Sequence, residues 1–356
     1  MMKKQLLLLA TLFAFHFSLF TSGTARAQDA YIFTSFHEPS TDGMRYLYSY
    51  DGLQWDSIPG VWMAPEIGNR EAYVDAFTGE SVLPSFAPDD RVLRDPSITQ
   101  GPDGTFHLVW TTQWMGSRGF GYARSKDLIH WSQQVEIPVM QNFPTNNVWA
   151  PEVFYDDELK EYFIIWSSSI NPKDYTAADK LGTNSCHRMW YCTTKDWKRF
   201  SEAKPYYDPG FNSIDGFLLK RASKDYVLIV KDNRKPGFSN LFCAFSQSPH
   251  GPFVSDFPKE GIQTGAEYPK NGWTGAFGRT FSEGPCAVRL NNKGKDEWII
   301  YFDQYHPQEF GAVSTTDFKH FTPIPNRIKV PAEHKHGTIV KVSHEILDNL
   351  LKAARQ

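Results

Sequence analysis

Five polar residues recur along this 356-residue chain in settings that suit chemistry better than packing. Asp95 stands in Arg94-Asp95-Pro96-Ser97-Ile98, Glu152 in Trp149-Ala150-Pro151-Glu152-Val153, and Asp215 in Ser213-Ile214-Asp215-Gly216-Phe217. Glu283 follows in Ser282-Glu283-Gly284-Pro285-Cys286, and His336 opens His336-Gly337-Thr338-Ile339-Val340. Gly and Pro weaken sheet pairing, so an acid set among them is a poor choice for building a strand. Carboxylates gathered in one partly dry place raise one another's pKa, which is costly unless it is used. The use open to such a set is acid–base work. One carboxyl stays protonated to donate to a leaving oxygen, while another stays ionised to activate water or attack, the division of labour that glycosidic bond cleavage needs.

Whether the five converge depends on the elements that carry them, and the chain repeats itself. Ser49-Tyr50-Asp51-Gly52-Leu53-Gln54-Trp55 is echoed by Ser125-Lys126-Asp127-Leu128-Ile129-His130-Trp131, by Thr194-Lys195-Asp196-Trp197-Lys198-Arg199-Phe200 and by Thr315-Thr316-Asp317-Phe318-Lys319-His320-Phe321. Ser248-Pro249-His250-Gly251-Pro252-Phe253 is a worn fifth copy. The anchoring aromatics Trp55, Trp131, Phe200, Phe253 and Phe321 lie 76, 69, 53 and 68 positions apart, a loose period in which loops absorb the variation. Each copy closes a pair of short β-rich runs. The Asp can satisfy N–H groups of a tight turn, and the aromatic can cover the edge of the sheet just left. Helical periodicity is nearly absent before residue 342.

Five such units, each with room for about four strands, predict an all-β, five-bladed β-propeller. The five polar residues, 57, 63, 68 and 53 positions apart, precede the strand pairs. They are therefore expected on each blade's first strand, facing the central channel. The strand from His336 is expected to complete the blade begun by residues 31–55, closing the ring between the chain's two ends, and residues 343–355 read as a short amphipathic helix on the rim.

Composition narrows the partners. Residues 1–27 read as a signal peptide: Lys3 and Lys4 give a positive start, residues 6–20 are largely apolar, and Ala25-Arg26-Ala27 resembles a cleavage site. The run is short for a membrane span, polar residues follow it at once, and no Cys follows to take a lipid. The expectation is one domain over residues 28–356, exported to the periplasm or the cell exterior, with no membrane span. A net charge of −3 carries no basic excess, which argues against nucleic acid. Aromatics at 15% suit sugars, whose C–H faces pack on rings. Cys186, Cys192, Cys243 and Cys286 match no metal motif and are compatible with zero to two bridges, with buried free thiols the simpler reading.

With the motifs in this order, the chain resembles glycoside hydrolase family 43, five-bladed propellers acting mostly on arabinose- and xylose-containing polysaccharides. The resemblance covers essentially the whole of residues 28–356 and rests on Arg94-Asp95-Pro96-Ser97-Ile98, Trp149-Ala150-Pro151-Glu152, Ile214-Asp215-Gly216, Ser282-Glu283-Gly284-Pro285 and His336-Gly337-Thr338. It implies an inverting α-L-arabinofuranosidase or β-xylosidase-like enzyme, with Asp95 as general base, Glu283 as general acid and Asp215 as the residue that raises and orients the acid. It implies for Glu152 a supporting role lining the site. No cofactor is required, although the family's matching histidine often helps hold a calcium or other ion through water, which marks His336 as the metal candidate.

Trp149 is a candidate stacking platform. Trp114, Met115, Arg118 and Phe120, with Trp273, Phe277 and Arg279 ahead of Glu283, are candidate sugar contacts, and residues 171–187 a rim loop. The expected partner is an oligosaccharide or polysaccharide, met by a monomer. Two rivals are weighed. A fructan-type propeller also uses Arg-Asp-Pro, but it should carry Asn-Asp-Pro a blade earlier, where this chain has Phe36-His37-Glu38-Pro39. A non-catalytic carbohydrate-binding propeller would have no need of all three acids.

Overall fold

The sequence period becomes five antiparallel sheets in the computed structural model, which describes residues 29–68, 71–84, 90–180, 185–234, 240–255, 282–292, 294–304 and 309–356. The leader expected over residues 1–27 lies outside these. Blade 1 uses β1 (Ala30–Ser35), β2 (Met44–Ser49) and β3 (Asp56–Met63), and a small hairpin of β4 (Tyr73–Val74) and β5 (Ser81–Val82) follows. Blade 2 is β6 (Arg94–Gln100), β7 (Phe106–Thr111), β8 (Phe120–Ser125) and β9 (Val135–Ile137). Blade 3 is β10 (Trp149–Asp156), β11 (Glu161–Ser169), β12 (His187–Thr194) and β13 (Lys204–Tyr207). Blade 4 has β14 (Ser213–Ala222), β15 (Asp225–Asp232) and β16 (Asn240–Ser246). Blade 5 has β17 (Ser282–Asn292), β18 (Lys295–Gln304), β19 (Glu309–Thr315) and β20 (Thr322–Pro323). Finally β21 (Ile339–Val342) returns to pair with β1, so the sheet order of blade 1 is β21-β1-β2-β3.

The chain is therefore a five-bladed β-propeller closed between its two ends. Closure is held by Thr34, whose N–H donates to Thr338 O at 3.0 Å, whose hydroxyl donates to Pro96 O at 2.6 Å and accepts from Thr338 N–H at 3.1 Å. The closing strand starts three residues later than expected: His336 precedes it, and Lys335 makes only an isolated bridge with Phe36. The terminal helix α1 (His344–Ala353) is capped by Ser343, whose hydroxyl accepts from Ile346 N–H, and packs Leu347 and Leu350 into the core between blades 1 and 2.

The repeated turn works as the residue types predicted. The Asp51, Asp127, Asp196 and Asp317 carboxylates each accept from the backbone N–H groups two and three residues on, at 2.8 to 3.0 Å. The residue after each Asp lies in the left-handed region, at φ +72° for Gly52, +65° for Leu128, +57° for Trp197 and +58° for Phe318. Such conformations are costly for bulky residues, and here the turn's hydrogen bonds and side-chain burial hold them. The anchoring aromatics reach further than the edge of their own sheet. Five apolar clusters fill the spaces between neighbouring blades, and Trp55 enters the one between blades 1 and 5, Trp131 that between 2 and 1, Phe200 that between 3 and 2, Phe253 that between 4 and 3 and Phe321 that between 5 and 4. Each repeat thus supplies the aromatic that joins its blade to the preceding one. Cys186, Cys192 and Cys286 are buried thiols without a disulfide. Among the described residues no helix is long and apolar enough to cross a membrane.

Candidate active site

Asp95, Glu152, Asp215 and Glu283 all lie on the first strand of a blade, and the same irregularity occurs near the start of each. The register of β6, β10, β14 and β17 breaks between Arg94 and Ser97, Trp149 and Glu152, Ile214 and Phe217, and Glu283 and Cys286. At each break one residue turns left-handed: Asp95 at φ +52°, Ala150 at +44°, Asp215 at +53° and Gly284 at +55°. Bulges of this kind re-aim a side chain at the end of a strand. Aligning the four bulges shows that the acids are not equivalent. Asp95 and Asp215 sit at the left-handed position, Glu283 one residue before it and Glu152 two residues after it. Gly284 is required where it is, because a Cβ there would come within 2.5 Å of the His336 ring.

This offset decides which acids meet. Asp95, Asp215, Glu283 and His336 line one cavity of about 300 Å³, together with Arg94, Trp114, Trp149, His187, Ser185, Asn233, Thr111 and Ile214. That size and mix of rings and convergent polar groups fit a small-ligand pocket. Glu152 is not among the lining groups. It is buried one level further along the axis, beside Ser97 and Cys286, the residues that occupy its place on their own strands. Burial pushes its carboxyl up to about 8, more than the Ser97 hydrogen bond and the His336 charge pull it down, so it is neutral at pH 7. Arg279, Trp273 and Phe277 lie outside the described residues. Met115, Arg118 and Phe120 are not cavity-lining residues, whereas residues 185 and 187, at the end of the expected rim loop, are.

The second strands hold the bulges in place. The Thr111 hydroxyl donates to Asp95 Oδ2 at 2.8 Å and accepts from Ala150 N–H at 2.8 Å, tying blade 2 to blade 3. The Ser167 hydroxyl accepts from Asp215 N–H at 3.2 Å, and Asp215 Oδ2 accepts from Gly284 N–H at 3.2 Å, tying blade 3 to 4 and 4 to 5.

Charges in the cavity are strongly sorted. Asp95 Oδ1 is 3.2 Å from His336 Nδ1. Burial opposes the Asp95 charge, but the His336 cation and its hydrogen bond, then Arg94 and Thr111, bring the carboxyl to about 2. Burial likewise opposes the His336 charge, and Asp95, Asp215 and Asp303 outweigh it, raising the imidazole to about 9. Asp215 is pushed above its ordinary range by burial, with Glu283 and Asp95 adding to that and His336 and Lys231 opposing it. Glu283 goes the other way. Burial would raise it, yet Lys231 Nζ lies 2.6 Å from Oε2 and Lys335 Nζ 3.6 Å from Oε1, and with His336 they hold the carboxyl at about 2. Asp303, which accepts from Lys335 at 2.9 Å, rises to about 6 through burial and the Glu283 charge. In this state Asp95 and Glu283 are both ionised.

His336 does not fit an ion ligand as it stands: it is a cation bonded to Asp95, and calcium takes oxygen donors. Among the described residues no three His, Cys, Asp or Glu side chains are grouped to hold a metal.

The aromatics serve as scaffold as well as surface. The Arg94 guanidinium lies 4.0 Å from the Trp114 ring and 4.6 Å from Phe36, and Glu38 takes its Nη1 at 2.9 and 3.1 Å. Glu38 is thus a counterion of Arg94 alongside Asp95, and is away from the cavity lining. Trp149 donates its indole N–H to Trp114 O at 2.5 Å and stacks on His187 with ring centroids 4.6 Å apart. Lys231, Lys335 and His187 were not singled out from sequence. Lys231 has only a weak local signal, a cation at the end of the apolar run Tyr226-Val227-Leu228-Ile229-Val230 and directly before Asp232, whereas His187 is marked only as the end of the expected rim loop.

Comparison with known proteins gives the family and a likeness of fold. Residues 27–348 match the model of a family described as "probable glycosyl hydrolase domain", related to glycoside hydrolase family 43. An α-L-arabinofuranosidase of Bifidobacterium longum subsp. longum is 28% identical over 261 residues, 65% of this chain but 24% of that protein, so the chain spans about a quarter of that relative. A solved Bacteroides ovatus structure from a xyloglucan utilisation locus, GH43B, superposes with a TM-score of 0.52 at 15% identity, over 87% of this chain and 54% of that one, a likeness of fold.

Proposed function

The chain belongs to this glycoside hydrolase family 43-related family of glycosyl hydrolases, and from that membership we propose that it releases arabinose or xylose units from plant-type oligosaccharides or polysaccharides by inverting hydrolysis. Asp95 is the base. Held ionised by His336 and aimed by the Thr111 hydroxyl, it takes the proton of the water that attacks the anomeric carbon. Glu283 is the acid that gives its proton to the leaving oxygen, and Asp215, bonded to the Gly284 N–H beside it, opposes loss of that proton by its charge. Trp149 and Trp114 offer ring surface for the sugar. The observation that carries the reading is the convergence of Asp95, Asp215 and Glu283 on one cavity from three separate blades. The relative named α-L-arabinofuranosidase supports arabinofuranosides ahead of xylosides. The basic start, apolar run and Ala25-Arg26-Ala27 support export.

The test is direct. Asp95→Asn and Glu283→Ala each lose about a hundredfold or more of turnover with the fold intact, the range of acid–base catalysis. The released sugar appears first as the inverted anomer by NMR. A panel of aryl arabinofuranosides, xylosides and galactosides selects the sugar. Near-normal turnover in either variant overturns the assignment.

A further inference from the structure

Glu283 is engaged by a cation that the acid–base scheme does not use. Lys231 lies near the end of β15, the middle strand of blade 4, between Val230 and Asp232, and its side chain is only 6% exposed. Burying an ammonium there is costly unless it is paired. Its partner is on the next blade: Nζ meets Glu283 Oε2 at 2.6 Å. Lys335, the other nearby ammonium, sits closer to Asp303, at 2.9 Å, than to Glu283, at 3.6 Å. Among the described residues, the direct cation of Glu283 is therefore Lys231.

We propose that Lys231 is a positioning residue for the reaction: its ammonium fixes the Glu283 carboxylate at the cavity wall and governs when that carboxylate can hold a proton. This rests on Glu283 being the proton donor. A donor clamped as an anion cannot donate, so the ammonium must be drawn off before Glu283 is protonated. Asp215, on the strand paired with β15, is the other carboxylate that attracts Lys231. Among the described residues, the charged groups around Glu283 are Lys231 on β15, Asp215 on β14, Asp303 on β18, Lys335 and His336 ahead of β21, and Arg94 on β6. Of these cations only Lys231 is in direct hydrogen-bond contact with Glu283.

The pH dependence of kcat/KM reads this. An acid works while protonated, so activity falls as pH rises through the Glu283 pKa. Lys231→Met removes the charge that expels the proton and moves this alkaline limb up by about one to three pH units, the effect of one close opposite charge. Lys231→Arg keeps the charge and leaves the limb in place, even where kcat drops. A merely structural lysine would lower activity at every pH without moving the limb, and that result overturns the proposal. Carbon-13 NMR of glutamate-labelled wild-type protein decides independently of whether Lys231→Met folds. The Glu283 carboxyl, assigned by its loss in Glu283→Gln, titrates below the ordinary glutamate value of 4.5; titration at or above it overturns the proposal. If Glu283→Gln remains active, the donor role is what fails, and the same NMR signal still reports whether Lys231 holds the carboxylate.

Discussion

His336 Nδ1 stands 3.2 Å from Asp95 Oδ1, so a residue just ahead of the chain's last strand holds the charge of one on the first strand of blade 2. The pair joins the ring closure to the cavity. Its two members shift in opposite directions, the carboxyl down and the imidazole up.

Replacing that histidine by glutamine has a signed consequence. Asp95, a base that works ionised, loses its cation, and the acidic limb of kcat/KM moves up from about 2 towards the ordinary aspartate range. In stability, the raised His336 favours the folded protein fully below its ordinary 6.5, and that gain is lost as pH rises through about 9. The lowered Asp95 favours folding above its ordinary 3.8, a gain lost as pH falls through about 2. Wild type should therefore exceed His336→Gln by about 2 to 3 kcal/mol between pH 4 and 6.5, counting the pair once, with the margin shrinking towards pH 9. Urea melts across pH check it.

Glu152→Gln should leave turnover near wild type at pH 7. The buried carboxyl, pushed up to about 8, is already neutral there, and glutamine mimics that form. The folded chain keeps a proton that the unfolded chain releases, so wild type loses stability relative to the variant as pH rises from 4.5 to 8. A variant without activity at pH 7 would make Glu152 a participant in the chemistry.

Trp149→Ala tests the platform. The indole makes its contacts to His187 and to Trp114 O without touching the three acids by hydrogen bond. KM is expected to rise about tenfold, the order of one aromatic contact, with kcat changed much less. Steady-state kinetics on the preferred aryl glycoside separates the two.

Trp55→Ala tests the repeat. Trp55 is fully buried between blades 1 and 5, and its indole N–H donates to Tyr301 Oη at 3.0 Å. Removing it should cost about 3 to 5 kcal/mol, the range for a large core aromatic, read as a lower urea midpoint.

The fold was legible because its signals are local and repeated. An Asp that caps a turn and an aromatic four positions later are close in sequence, so Asp51 with Trp55 and Asp127 with Trp131 can be read directly. The fit of those aromatics against the preceding blade could not, because it depends on contacts distant in sequence, as between Phe200 and Phe120 or, across the ring closure, Trp55 and Tyr301. The acids were found for the same reason as the turns: each sits in a short Gly- or Pro-containing motif.

Sequence alone determined the five-blade period, the placing of four acids on inner strands, and the ring closure by the last strand. Tertiary structure alone decided which of those acids share a space and in what charge state. A bulge offset by one or two residues sends Asp95, Asp215 and Glu283 into the cavity and Glu152 to the level beneath it. Electrostatic work depends on distance and burial, which are set by partners from other blades: His336 for Asp95, and Lys231 and Lys335 for Glu283. No motif around Glu283 announces its lysines, because they reach it through space, Lys231 from β15 and Lys335 from the segment ahead of β21, which only the closed ring brings together.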